Sequence, residues 1–146
     1  MTLEKLIPVL QIAIGPVILI SGVGLLILSM TNRLGRTIDR SRLLVELLRG
    51  AGDEDRIRLE LQLGILWRRA RLLRAAITLS GLAVLLDAFL MILIFLGALA
   101  DLRVAEAIVL AFAACMAALI GSILYFLRDI NLALRALANE LQVGTR

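Results

Sequence analysis

Residues 6–30 read LIPVLQIAIGPVILISGVGLLILSM, twenty-five positions without a charge. About 20 apolar residues suffice to cross the hydrocarbon core of a bilayer as a helix. A secretory leader carries an apolar core of only about 7–15 residues and then a cleavage site. This stretch is longer, contains Pro8, Gln11 and Pro16, and lacks a clear cleavage site, so it reads as a permanent transmembrane helix. Outward from it, residues 75–100 carry one charge, Asp87, and residues 107–127 carry none. Three crossings follow: 6–30, 75–100 and 107–127.

The composition agrees. Of 146 residues, 61% are hydrophobic and 19% charged, against about 45–50% and about 25% in soluble domains. Mean hydropathy is +0.98. The length suits a single membrane domain, 1–146. Histidine is absent, which excludes a histidine base, triad or metal ligand. The lone Cys115 excludes an intrachain disulfide or a CxxC site and reads as a small buried hydrophobe.

Arginine sets the orientation. Segment 31–74 holds eleven arginines and the stretch from Arg128 holds three. The N-terminal side offers only Lys5, and the 101–106 connection only Arg103. Basic residues accumulate on cytoplasmic segments. The expected topology in a bacterial inner membrane is therefore a periplasmic N-terminus, with segment 31–74 and the C-terminus cytoplasmic.

The cytoplasmic segment has helical periodicity. Leu34, Ile38, Val45 and Leu48 share one face, and Leu59, Leu63, Leu66, Ala70 and Leu73 share another. Gly50-Ala51-Gly52-Asp53 separates them, glycine as a stop and Asp53 as the N-cap of the next helix. The pattern predicts an antiparallel helical hairpin over 34–74. Its second arm has no strong breaker before span two, so 54–100 can run as one helix of about 70 Å. After span three, an amphipathic helix over 128–141 extends the chain, with Gly144 as its end. Asn32, Arg33 and Gly35 mark the exit of span one. The expected fold class is an all-α membrane protein with three transmembrane helices, a cytoplasmic antiparallel helical hairpin and a helical C-terminal extension.

One face of span one is distinctive. At 100° per residue, Gln11, Gly15, Ile18, Gly22, Leu25 and Ser29 fall within roughly 40° of one line. The same line meets Arg33, Arg36 and Arg40. In a homo-oligomer this face could line a pore, with Ile18 and Leu25 as apolar constrictions and the arginines as an electrostatic filter at the inner mouth. Glycines seven apart also suit a packing seam within one chain, and the arginines suit topology signals at lipid headgroups.

Asp87 lies mid-span, at a depth where a carboxylate costs about 2.5–3.5 kcal/mol on insertion scales. No basic residue matches its depth. It reads as a proton or cation site, or as a neutral acid that joins helices, with Ser21 a candidate hydrogen-bond partner. Span three repeats small residues every four, Ala113, Ala117, Gly121 and Ala114, Ala118, Ser122, which suits close helix contacts on two faces. Arg68, Arg69, Arg71 and Arg74, beside Trp67, suit snorkelling at the interface or an anionic lipid headgroup. Acids interleave with the basic residues and aromatics are scarce, so no nucleic-acid partner is expected. No P-loop or GxSxG is present, and no paired carboxylates sit within one span. No enzyme activity, cofactor or metal is expected.

The stretch AIGPVILISGVGLLILSMTNRLGRTIDR, with LWRRARLLRAAI, LLDAFL and YFLRDINLALRAL, resembles an uncharacterised family of small bacterial membrane proteins, a domain of unknown function. The resemblance spans roughly residues 8–138. The TNRLGR run is its most specific part. It implies three helices and a prokaryotic inner membrane, and no activity.

The residues lead to three functional expectations. The first is a homo-oligomer forming a channel-like pore lined by span one, its ion unassigned but leaning to anions. The second is a non-conducting scaffold whose cytoplasmic hairpin recruits a partner or senses lipid. The third is a proton-linked transporter subunit using Asp87. Expected partners are membrane lipids, anionic ones included, further copies of the chain, and ions if it conducts.

Overall fold

The computed structural model describes residues 3–100 and 104–143. They form three helices: α1 (Leu3–Leu48), α2 (Asp53–Ala100) and α3 (Ala105–Val143). No strand occurs among the described residues. Segments Ala13–Leu48, Asp53–Leu99 and Ala105–Ala136 are each long and apolar enough to cross a membrane. At 1.5 Å per residue, α1 and α2 are each about 70 Å long, over twice the ~30 Å hydrocarbon thickness. The surplus length is the charged, arginine-bearing part.

A free-standing hairpin over 34–74 is not an element of this fold. Its first arm is the continuation of α1, which runs unbroken past Asn32, Arg33 and Gly35. Its second arm is the start of α2. Nothing at the exit of span one stops a helix, since a single glycine costs only about 1 kcal/mol. The extension over 128–141 is likewise part of α3; Gly144 lies outside the described residues. Pro8 and Pro16 sit inside α1.

The break between α1 and α2 is local chemistry. Arg49 and Gly50 donate backbone bonds to Glu46 and Leu47, both 3.2 Å, which tightens the last turn of α1. Arg56 donates to the Gly52 carbonyl at 2.9 Å. Gly52 is therefore the capping position, and Asp53, the expected N-cap, is the first helical residue. Asp53, Glu54 and Asp55 place negative charge at the positive end of the helix dipole.

Burial follows a three-four spacing. On α2 the buried residues include Leu73, Ala76, Ser80, Ala83, Asp87 and Leu90; on α3 they include Ala111, Cys115, Ala118, Ser122 and Asp129. On α1, Val23, Met30, Thr37 and Leu44 are buried at intervals of seven. These are the intervals of a coiled-coil seam. The expected every-four tracks of α3 are realised only in part: Ala118 and Ser122 are buried, whereas Ala113, Ala114 and Ala117 are exposed. In the first arm, Ile38 and Val45 are exposed while Thr37 and Leu44 take the seam.

The chain divides into two compact units. One combines α1 through Leu28 with Thr78–Ser122. Its core is Ala83, Cys115 and Ala118, with Leu19, Leu86, Met116 and Leu119 packed around them. Small residues let these helices approach closely. Two buried polar contacts pin α2 to α3: Ser80 Oγ to Ser122 Oγ at 2.6 Å, and Cys115 Sγ donating to the Ala83 carbonyl at 3.2 Å. The other unit combines Ser29–Ile77 with α3 from Ile123 onward.

Candidate functional site

The second unit is organised around one carboxylate. Asp129 on α3 is fully buried. Arg33 on α1 donates from Nη2 to its Oδ2 at 3.2 Å. Arg69 on α2 donates from Nε to its Oδ1 at 3.0 Å. One acid therefore holds all three helices. The Arg33 guanidinium also lies 5.4 Å from the centre of the Phe126 ring, within cation–π range. Thr37 Oγ1 donates to the Arg33 carbonyl at 2.9 Å, and Ser41 Oγ to the Thr37 carbonyl at 2.8 Å. These bonds satisfy the donor of each hydroxyl inside α1.

Asp129 was not among the sequence-derived candidates. It sits next to Arg128 in a helix with ordinary surface periodicity. The available signal was register: Asp129 falls seven residues after Ser122. An acid at a buried seam position opposite arginine-rich helices requires a cationic partner.

A groove of about 490 Å³ opens beside this cluster, lined by Ser29, Asn32, Arg33, Arg36, Thr37, Arg40, Leu66 and Arg69. The structure thus brings together the three arginines proposed for an inner mouth with one of the four proposed for lipid headgroups. Arg36 and Arg40 are exposed; Arg33 and Arg69 are half-buried. Arg33 Nε is buried and has no hydrogen-bond partner. Arg68, Arg71 and Arg74 are exposed and do not line the groove.

The stripe on α1 is exposed in the chain. Gln11, Gly15, Gly22 and Ser29 all face outward, and Ile18 and Leu25 are 66% and 71% exposed. A Cβ built on Gly15 or Gly22 meets nothing within 4 Å. A packing seam inside the chain is therefore not what these glycines form. Gly121 differs: a Cβ there lies 3.3 Å from Leu79 Cδ1.

Asp87 is 2% exposed, and its Oδ2 has no hydrogen-bond partner. Ser21, a candidate partner, is exposed and instead donates to the Val17 carbonyl of its own helix at 3.2 Å. Cys115 is buried and free. Among the described residues no cluster of three or more acids and cysteines could hold a metal.

A second groove, about 750 Å³, is lined on its apolar parts by Ile38, Val45, Leu63, Trp67 and Ala70. It lies among the parts of α1 and α2 that carry the arginines. Leu43, Leu47, Ile57 and Leu61 are also exposed there.

No curated protein and no solved structure matches this chain. A family model matches residues 13–139, nearly the whole sequence. Three helices able to span a membrane, a seam of small residues and a carboxylate bound by two arginines are thus found in a chain that belongs to the family described as "Protein of unknown function (DUF2721)".

Proposed function

We propose that this protein is a homo-oligomeric bacterial inner-membrane protein whose first helix lines a channel-like pore. The observation that carries the reading is the exposed face of α1. Gln11, Gly15, Gly22 and Ser29 present an amide, bare backbone and a hydroxyl outward from the chain. Lipid tails offer the Gln11 amide and the Ser29 hydroxyl no hydrogen bonds, whereas water or a second copy does. Ile18 and Leu25 alternate with them and form the apolar constrictions. Arg36 and Arg40 follow on the same face of the helix by register and give the inner mouth a preference for anions. The arginine distribution orients the N-terminus to the periplasm and the arginine-bearing ends of the helices to the cytoplasm. The role is conduction, without catalysis or cofactor.

The test is reconstitution of the purified protein in planar bilayers. Discrete conductance is expected, with a reversal potential that favours anions. Arg36→Glu should move that potential towards cations. Arg36 suits this experiment because it forms no ion pair among the described residues, whereas Arg33 holds Asp129. Absence of conductance at every voltage, or a selectivity unchanged by Arg36→Glu, rejects the pore.

A second reading has its own support. Leu43, Leu47, Ile57 and Leu61 are large, apolar and exposed on the arginine-bearing parts of α1 and α2. A non-conducting scaffold that recruits a partner through that surface would explain them. Loss of conductance combined with an intact oligomer would favour it.

A further inference from the structure

We propose that the groove formed by Arg33, Arg36 and Arg69 is a binding site for a phosphate-class anion. The site is built within one unit of one chain, so it stands whether or not α1 lines a pore.

The first support is charge. Three guanidiniums border the groove against one carboxylate, Asp129, even with Arg40 at its margin left aside. Asp129 neutralises one charge and leaves the others for a ligand. The second support is orientation. Arg33 and Arg69 are held by opposite oxygens of the same buried acid. Their forks are fixed before any ligand arrives, which lowers the ordering cost of binding. Arg69 uses Nε on Asp129, so its terminal amino groups remain for an anion. Arg33 uses Nη2 on Asp129 and keeps Nη1 for an anion.

The third support is shape and class. Guanidinium forks match the tetrahedral oxygens of phosphate and bind them in pairs. The groove, about 490 Å³, admits a phosphate with its substituents. Ser29 and Asn32 add neutral hydrogen-bonding groups at its edge. Two sources share this chemistry. One is the headgroup of an anionic phospholipid, which basic pockets between helices can hold. The other is free phosphate or a small phosphoryl compound.

The experiment uses the full chain in uncharged detergent micelles and follows its melting temperature. In one arm inorganic phosphate is titrated against chloride at matched ionic strength. In the other, phosphatidylglycerol is titrated against phosphatidylcholine. Arg36→Gln is compared with Arg58→Gln, an exposed arginine outside the groove. The expected result is a saturable rise in melting temperature, weakened about tenfold in apparent affinity by Arg36→Gln and unaffected by Arg58→Gln. A response to inorganic phosphate identifies free phosphate as a sufficient ligand. A response to phosphatidylglycerol alone identifies the lipid headgroup. The proposal is overturned if neither probe exceeds its control, if binding ignores Arg36→Gln, or if Arg58→Gln weakens it equally.

Discussion

Removing the Asp129 carboxylate is the most informative perturbation of this fold. Asp129→Ala deletes two charge-assisted hydrogen bonds and leaves Arg33 and Arg69 without their common partner. Breaking a buried ion pair by removing one partner costs about 3–5 kcal/mol. The arginines are not fully enclosed, their side chains being 32% and 19% exposed. Both can turn partly to water, so the lower end, about 3 kcal/mol, applies. For a chain of this size each kcal/mol moves the melting temperature by about 2–4 °C, which gives a fall of roughly 6–12 °C. The assay reads the two units separately. Trypsin cuts after arginine and reports on the unit containing Arg33 and Arg69. Labelling of the buried Cys115 thiol reports on the other. Asp129→Ala should lower the temperature of tryptic cleavage between residues 33 and 74. Asp39→Ala, which removes an exposed carboxylate, should not. Adding Arg69→Gln to Asp129→Ala should cost little more, because the partner has already gone. If Asp129→Ala melts within about 2 °C of the parent, the carboxylate does not hold the helices and the assignment is wrong.

Three further substitutions test the other parts of the structure. Asp87→Leu removes an acid whose Oδ2 has no partner, so stability should be unchanged or raised by about 1 kcal/mol; a loss above about 2 kcal/mol in a melt would reveal a partner for that acid. Ser80→Ala breaks the 2.6 Å hydroxyl contact with Ser122 and should cost about 1 kcal/mol, with the Ser80→Ala/Ser122→Ala pair no worse than Ser122→Ala alone; an additive loss would mean the two hydroxyls act independently. A Cβ at Gly22 meets nothing within 4 Å, so Gly22→Leu should retain monomer helicity while lowering conductance by narrowing the pore; a conductance equal to the parent's would remove this face of α1 from the pore.

The three helices were legible in the sequence because their signal is one-dimensional. An uncharged run of 25 residues needs no partner to be read as a span. The turn at residues 49–52 was legible for a similar reason, since two glycines and three acids write a stop and a start. The run of 54–100 as one helix was legible, because no strong breaker interrupts it; the continuity of the first arm with span one was not. Periodicity shows that residues 34–48 are helical, but not that their helix began at Leu3. The seam was misread in the first arm because Ile38 is more apolar than Thr37, which shifts the expected face by one residue to Ile38 and Val45. The structure buries Thr37 and Leu44 instead, in register with Val23 and Met30. A seven-residue repeat carried by Val, Met, Thr and Leu has little hydropathy contrast, and only the long register reveals it.

The two buried acids show how far a sequence can carry a site. Asp87 stood out because it interrupts an uncharged run; Asp129 did not, because its neighbours are charged. Yet both occupy seam positions, and their environments differ in the opposite sense. Asp87 lies on the buried face of α2 between Ala83 and Leu90, in a unit whose described spans contain no arginine. Asp129 lies where α1 and α2 each bring an arginine to the same seam. A buried charge is tolerated only when paired, so the acid in the arginine-bearing unit is the one that holds helices together as an ion pair. It also fixes their register, because sliding any helix by one turn, about 5.4 Å, would part the carboxylate from a guanidinium. The residue that looked least unusual in the sequence therefore sets the geometry of the basic groove. Arg33, Arg36 and Arg40, which as a sequence pattern were a row of cations on one helix, become a site because Asp129 turns the first of them towards Arg69.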